Sequence, residues 1–184
     1  LFGNAQTKGL DEEQISHIEE LMDNGLRFSD TFHFKDILPI ADELADYYLQ
    51  KKDYKHFFLT KQMENYAISF QGDLNILQQA KDLHLLADSL NYPLGRAIAH
   101  FSVADVYLNT QMIDEALSEY RKAYHLARIS NKEDLVTMLS NQIAGFYAEM
   151  ADYVQAKKYL IATDASNLYS RSAVYSISAK LYHN

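Results

Sequence analysis

The chain has 184 residues, with 17 Lys and Arg against 25 Asp and Glu, a formal charge of −8. A 48% hydrophobic and 23% charged composition excludes a disordered chain, and only 6 Gly and 2 Pro exclude an all-β sandwich with its turn every ~8–12 residues. The acid excess excludes a phosphate-backbone binder, so no nucleic-acid partner is expected, and zero Cys excludes disulfides, thiolate zinc sites and a Cys nucleophile.

In chain order, Leu1-Phe2-Gly3-Asn4-Ala5-Gln6 reads as the tail of an export signal, with Gly3 and Ala5 suited to the small-residue positions before a cleavage point. The plainer alternative is the place where a longer chain was cut. Residues 1–10 are expected to be a flexible segment of this origin. Helix starts are expected near Asp11, Phe34, Asp53, Asp73, Pro93, Ile113, Glu133, Tyr153 and Arg171. Asn24-Gly25, Gly72-Asp73 and Asn91-Tyr92 supply turns between them, and Pro93 suits the first turn of a helix. Pro39 falls inside a helical pattern, so that helix either starts there or is kinked there. The longest interior stretch free of charge, Leu135 to Ala148, is shorter than the ~20 residues that cross a bilayer. No membrane insertion by this segment is expected.

The chain also repeats itself. The octets beginning at Ser102, Gln142 and Ile177 each carry Ala followed three residues on by Tyr, at Ala104/Tyr107, Ala144/Tyr147 and Ala179/Tyr182, with a fainter copy at Ala67/Phe70. The alanines are spaced by 37, 40 and 35 residues. Tyr107 is followed nine residues later by Ala116, as Tyr147 is by Ala156. Small residues let two antiparallel helices approach, and a neighbouring aromatic fills the volume beside the crossing. Ala97–Asn109 and Ile113–Ile129 thus read as a helix hairpin. The second helix bears Ala116, Leu117, Tyr120, Ala123, Tyr124 and Ala127 along one apolar stripe. A lone hairpin cannot bury that stripe, so hairpins of this kind stack.

The stretch Val103-Ala104-x-x-Tyr107…Asp114-Glu115-Ala116-Leu117…Tyr120…Ala123 resembles a tetratricopeptide repeat, whose period is about 34 residues. His100 stands where that family often has Trp, Gln111 replaces its turn Gly, and Arg128 stands where its closing Pro is expected. The resemblance implies an all-α fold, a tetratricopeptide-like α-solenoid of stacked antiparallel helix hairpins in a right-handed superhelix. Residues 11–52 would be degenerate capping helices. Residues 53–184 would be the repeats 53–92, 93–132, 133–170 and a truncated 171–184, whose missing partner helix marks the chain as part of a longer protein.

Little in the sequence resembles catalytic chemistry. No G-x-S-x-G, P-loop or G-x-G-x-x-G motif occurs, so no catalytic residue and no cofactor is expected. The seven His lie at 17, 33, 56, 84, 100, 125 and 183. No two have metal-ligand spacing, although His17 and Glu20 are one turn apart, so no metal site is expected. His100 lies on the apolar side of its helix and reads as a satisfied core histidine. Of the aromatic pairs Tyr47/Tyr48, Phe57/Phe58 and Phe32/Phe34, one member each could be exposed.

Tetratricopeptide arrays commonly bind ligands on the concave face formed by the first helix of each hairpin. The resemblance places Lys61, Glu64, Phe101, Asp105, Asn109, Asn141, Glu149 and Lys180 on that face, with Ile68, Gly145 and Ser176 beside them. Glu64, Asp105 and Glu149 oppose the lysines there, so a cationic or neutral peptide suits it better than a carboxylate. The segment Gln71-Gly-Asp-Leu…Asn91-Tyr-Pro-Leu-Gly95…Asp114-Glu-Ala-Leu117 is similar to the N-terminal arrays of two-component sensor histidine kinases of Bacteroides-type bacteria. That similarity implies a non-catalytic, periplasmic protein- or peptide-sensing part of a membrane-anchored kinase. The alternatives are a cytoplasmic peptide-responsive regulator and an assembly scaffold; a homodimer is compatible with any of these.

Overall fold

The computed structural model describes residues 9–23, 34–69, 75–160 and Ala179, among which there are eight helices and no strand. They are α1 (Glu12–Asp23), α2 (Phe34–Lys51), α3 (Tyr54–Ser69), α4 (Ile76–Ser89), α5 (Pro93–Asn109), α6 (Ile113–Ile129), α7 (Glu133–Glu149) and α8 (Tyr153–Leu160). The fold is all-α, and the starts at Phe34, Pro93, Ile113, Glu133 and Tyr153 are those read from the sequence. α2 begins upstream of Pro39 and runs through it. The Arg171 start, the fourth repeat apart from Ala179 (Lys180 included), and the turns at Asn24-Gly25 and Gly72-Asp73 lie outside the described residues.

One turn recurs at five helix ends. Lys52, Asn91, Gln111, Asn131 and Ala151 have φ of 59°, 46°, 62°, 52° and 58°, and the last four stand twenty residues apart. At each, two backbone bonds close the preceding helix. The Gln111 N–H donates to the Leu108 carbonyl and the Met112 N–H to the Tyr107 carbonyl; the same pair forms from Asn131 to Arg128 and from Lys132 to Ala127. This is the Schellman arrangement, which satisfies carbonyls that a helix end would otherwise leave unpaired. The residue after each left-handed position also caps the next helix, for the Met112 carbonyl accepts the Ala116 N–H. Asp53 and Asp152 add side-chain caps, to the His56 N–H at 3.3 Å and the Gln155 N–H at 3.1 Å.

The core follows the small-residue pattern. Ala97, Ala99 and Ala104 of α5 and Ala116, Ala123 and Ala127 of α6 are all fully buried, and α5 packs on α3, α4 and α6 together. Phe101, Tyr120 and Phe146 form an aromatic ladder across α5, α6 and α7, with ring centroids 6.0 and 5.4 Å apart. Burying such side chains contributes roughly 1.5–3 kcal/mol each. Phe57 and Phe58 are both buried, so that pair leaves no aromatic for the surface. Gly95 is required by closeness: a Cβ there would lie 2.7 Å from the Tyr92 ring and 2.9 Å from Phe58. At the N-terminal end, α1 closes the same core with Ile15, Ile18 and Met22. No helix among the described residues is long and apolar enough to cross a membrane.

Candidate binding grooves and the polar seam beneath them

α3 and α5 meet along polar side chains. The Gln62 amide donates to Asp105 Oδ2 at 2.6 Å, and the Tyr120 hydroxyl donates to Asp105 Oδ1 at 2.6 Å. Asn65 donates to Ser102 Oγ at 2.9 Å, Asn109 donates to Ser69 Oγ, and that hydroxyl donates to the Tyr66 carbonyl at 2.6 Å. Buried polar groups need such partners, and a carboxylate needs them most.

This seam changes the part played by several expected ligand contacts. Asp105 and Phe101 are 1% exposed and Asn141 is 4% exposed, so they stand in the interior and not on an open face. For Phe101 and Asp105 the reason is that α5 packs on three helices at once; Asn141 lies on α7, which packs on α6 and α8. Asn109 is half-buried and tied to Ser69. Glu149, at the end of α7, is exposed.

Lys61 and Glu64 do reach a groove. It lies between α2, α3 and α4, has a volume of about 410 Å³, and is also lined by Asp42, Asp82, Phe57 and Leu83. Lys61 pairs with Asp42 at 3.2 Å and with Glu64 one turn along its own helix. Burial alone would push the Lys61 ammonium down, but the contacts with Glu64 and Asp42 outweigh it and hold its pKa above the ordinary lysine value. With Asp82 the groove is lined by three carboxylates against one ammonium, which leaves it acidic.

A second groove, of about 420 Å³, lies on the other side of α4 between α5 and α6. His84 and His100 line it with their Nε2 atoms 3.0 Å apart. His100 Nδ1 lies 2.5 Å from Glu119 Oε2, and His84 Nδ1 lies 3.3 Å from Asp88 Oδ2. Each carboxylate is held from its other side, Asp88 by Arg96 Nε at 2.5 Å and Glu119 by Lys122 Nζ at 2.6 Å. Burial raises the Glu119 carboxyl, but the hydrogen bonds from His100 and Lys122 prevail and keep it below the usual glutamate value. The Arg96 contact does the same for Asp88. His100 is partnered, as the sequence implies, but by two polar groups at a groove edge. His84 has no motif to mark it, since its partner lies sixteen residues away on the next helix.

Glu19, Asp53 and His56 bring ligand-type atoms within 4.8 Å of one another, with His56 Nδ1 and Asp53 Oδ2 already 2.7 Å apart. A small cavity of about 30 Å³ is lined by Met22, Leu59, Ile98 and Met138, with Lys55 and Lys132 also on its wall. No family model matches the chain, and no curated protein or solved structure gives a significant match.

Proposed function

We propose that the chain is a non-catalytic protein- or peptide-interaction array, built as a tetratricopeptide-like solenoid. Its setting would be the extracytoplasmic sensor part of a bacterial two-component sensor histidine kinase. The observation that carries the array reading is the recurrence of one Schellman turn every twenty residues from Asn91 to Ala151. A fixed step between helices is what stacked hairpins require, because each unit must present the same face to the next. The step makes a two-helix unit of forty residues, longer than the family's usual one. The resemblance of residues 103–123 to the repeat motif supports the family, and the similarity of residues 71–117 to sensor arrays supports the setting.

The ligand class follows from the groove between α2, α3 and α4. Asp42, Glu64 and Asp82 outnumber Lys61 there, and Phe57 and Leu83 supply an apolar floor. A peptide with a basic residue beside an apolar one fits that chemistry. Selection from a random peptide library displayed against the protein tests the reading. Enrichment of basic sequences, with binding weakened at least tenfold in an Asp42→Asn/Asp82→Asn variant, is expected. Recovery of no peptide class, or equal binding by the variant, would refute it.

A further inference from the structure

The His84–His100 contact poses a problem of protons. A carboxylate at neutral pH only accepts, so Glu119 fixes a proton on Nδ1 of His100 at 2.5 Å, and Asp88, 3.3 Å from Nδ1 of His84, favours the same tautomer there. His100 Nε2 is then left with its lone pair; in the tautomer Asp88 favours, His84 Nε2 turns a second lone pair to it at 3.0 Å, and in the other tautomer His84 Nε2–H donates to it. Two acceptors at that distance repel unless something electropositive lies between them. The rings are nearly perpendicular, at 79°, and their centroids are 4.5 Å apart. Two imidazoles meeting head-on through Nε2 would hold their centroids further apart than this. The nitrogens therefore converge at an angle, and the groove makes their meeting point reachable from water.

That arrangement has the parts of a metal site. A zinc–imidazole bond of 2.0–2.1 Å sets two adjacent nitrogens on one ion about 3.0–3.4 Å apart, and metal-bound His typically gives its other N–H to a carboxylate. We propose that His84 and His100 chelate one imidazole-preferring divalent ion, of the zinc, nickel or copper class, through Nε2. Asp88 and Glu119 orient the two rings as outer acceptors, and Arg96 and Lys122 hold those carboxylates in place. Two protein ligands leave positions for water or for a group brought by a partner. Lys81 lines the same groove and opposes a cation, so a two-imidazole chelate of modest affinity is expected, tightened when Lys81 is replaced by Ala.

Equilibrium dialysis of the intact chain against zinc chloride, with far-UV circular dichroism as the folding control, tests this. One equivalent of zinc is expected, lost in His84→Ala and in His100→Ala and weakened 10–100-fold in Glu119→Gln. Copper(II) should show two nitrogen ligands by electron paramagnetic resonance. His84 is about a third exposed, so its replacement leaves the fold intact even if that of His100 does not. The proposal is overturned if the folded wild type retains no zinc at millimolar metal, in which case the pair shares a proton. It is equally overturned if zinc binding survives His84→Ala and is lost in Glu19→Gln, which assigns the ion to the cluster with Asp53 and His56.

Discussion

Tyr120 on α6 and Asp105 on α5 are joined at 2.6 Å where neither side chain meets solvent, and Gln62 of α3 holds the other oxygen of the same carboxylate. One buried acid thus links three helices. Removing one donor leaves the buried carboxyl with one hydrogen bond fewer, so Tyr120→Phe is expected to destabilise by about 1–3 kcal/mol. Asp105→Ala leaves the Tyr120 hydroxyl and the Gln62 amide facing an empty acceptor site, and should destabilise more. Urea denaturation of the two variants checks this ordering, and a Tyr120→Phe variant as stable as the wild type would show that the contact contributes little.

Two glycines should respond to alanine with opposite sign. At Gly95 the added methyl meets Tyr92 and Phe58 at under 3 Å, and Phe58 is fully buried. Gly95→Ala should therefore destabilise by about 1–3 kcal/mol, as overpacking does. At Gly145 nothing lies within 4 Å of the new methyl, and the residue is in the middle of α7. Gly145→Ala should stabilise by about 0.5–1 kcal/mol through helix propensity. Thermal unfolding of both variants settles the pair of signs.

The recurring turn offers a third test. Gln111 and Ala151 hold φ near 60° without being glycine, a conformation that strains an ordinary side chain. Gln111→Gly and Ala151→Gly are expected to stabilise by about 0.5–1 kcal/mol each, net of the flexibility glycine adds to the unfolded chain. Asn131→Gly should gain less, since Asn tolerates the left-handed region. Denaturant midpoints for the three single variants measure the difference.

The depressed Glu119 carboxyl makes a prediction about acid. Because its folded pKa lies below the ordinary 4.5, the unfolded chain takes up the proton more readily. The stabilisation is thus complete above pH 4.5 and fades as pH falls through the lower folded value. Glu119→Gln should flatten the stability curve over that acid window. Urea titrations between about pH 3 and 6 record the slope.

The helix boundaries were legible because their signals are local. Pro93 suits a first helical turn, and the alanine stripe of α6 declares its own buried side. The expectation for Asp105 was less successful, because a charge on a helix reads as solvent-facing until one knows that Gln62 and Tyr120 arrive from other helices. The same blindness to cross-helix geometry hid His84, whose partner lies on α5. Register was also misjudged at one place. Pairing Ala67 with Ala104 spaces the repeats by 37 residues, whereas the equivalent turns at Lys52 and Asn91 are 39 apart. Small residues recur for packing reasons in more than one register, so the backbone turn is the better ruler.

That twenty-residue ruler bears on how the chain emerges during synthesis. At roughly 5–20 residues per second, a ribosome releases one helix with its turn in about one to four seconds. Helices form in about a microsecond, and α6 packs on α5, α7 on α6 and α8 on α7, each on the one released just before it. From α5 onward each newly made helix therefore finds a waiting surface, and its apolar side spends only seconds uncovered in the crowded exit vestibule.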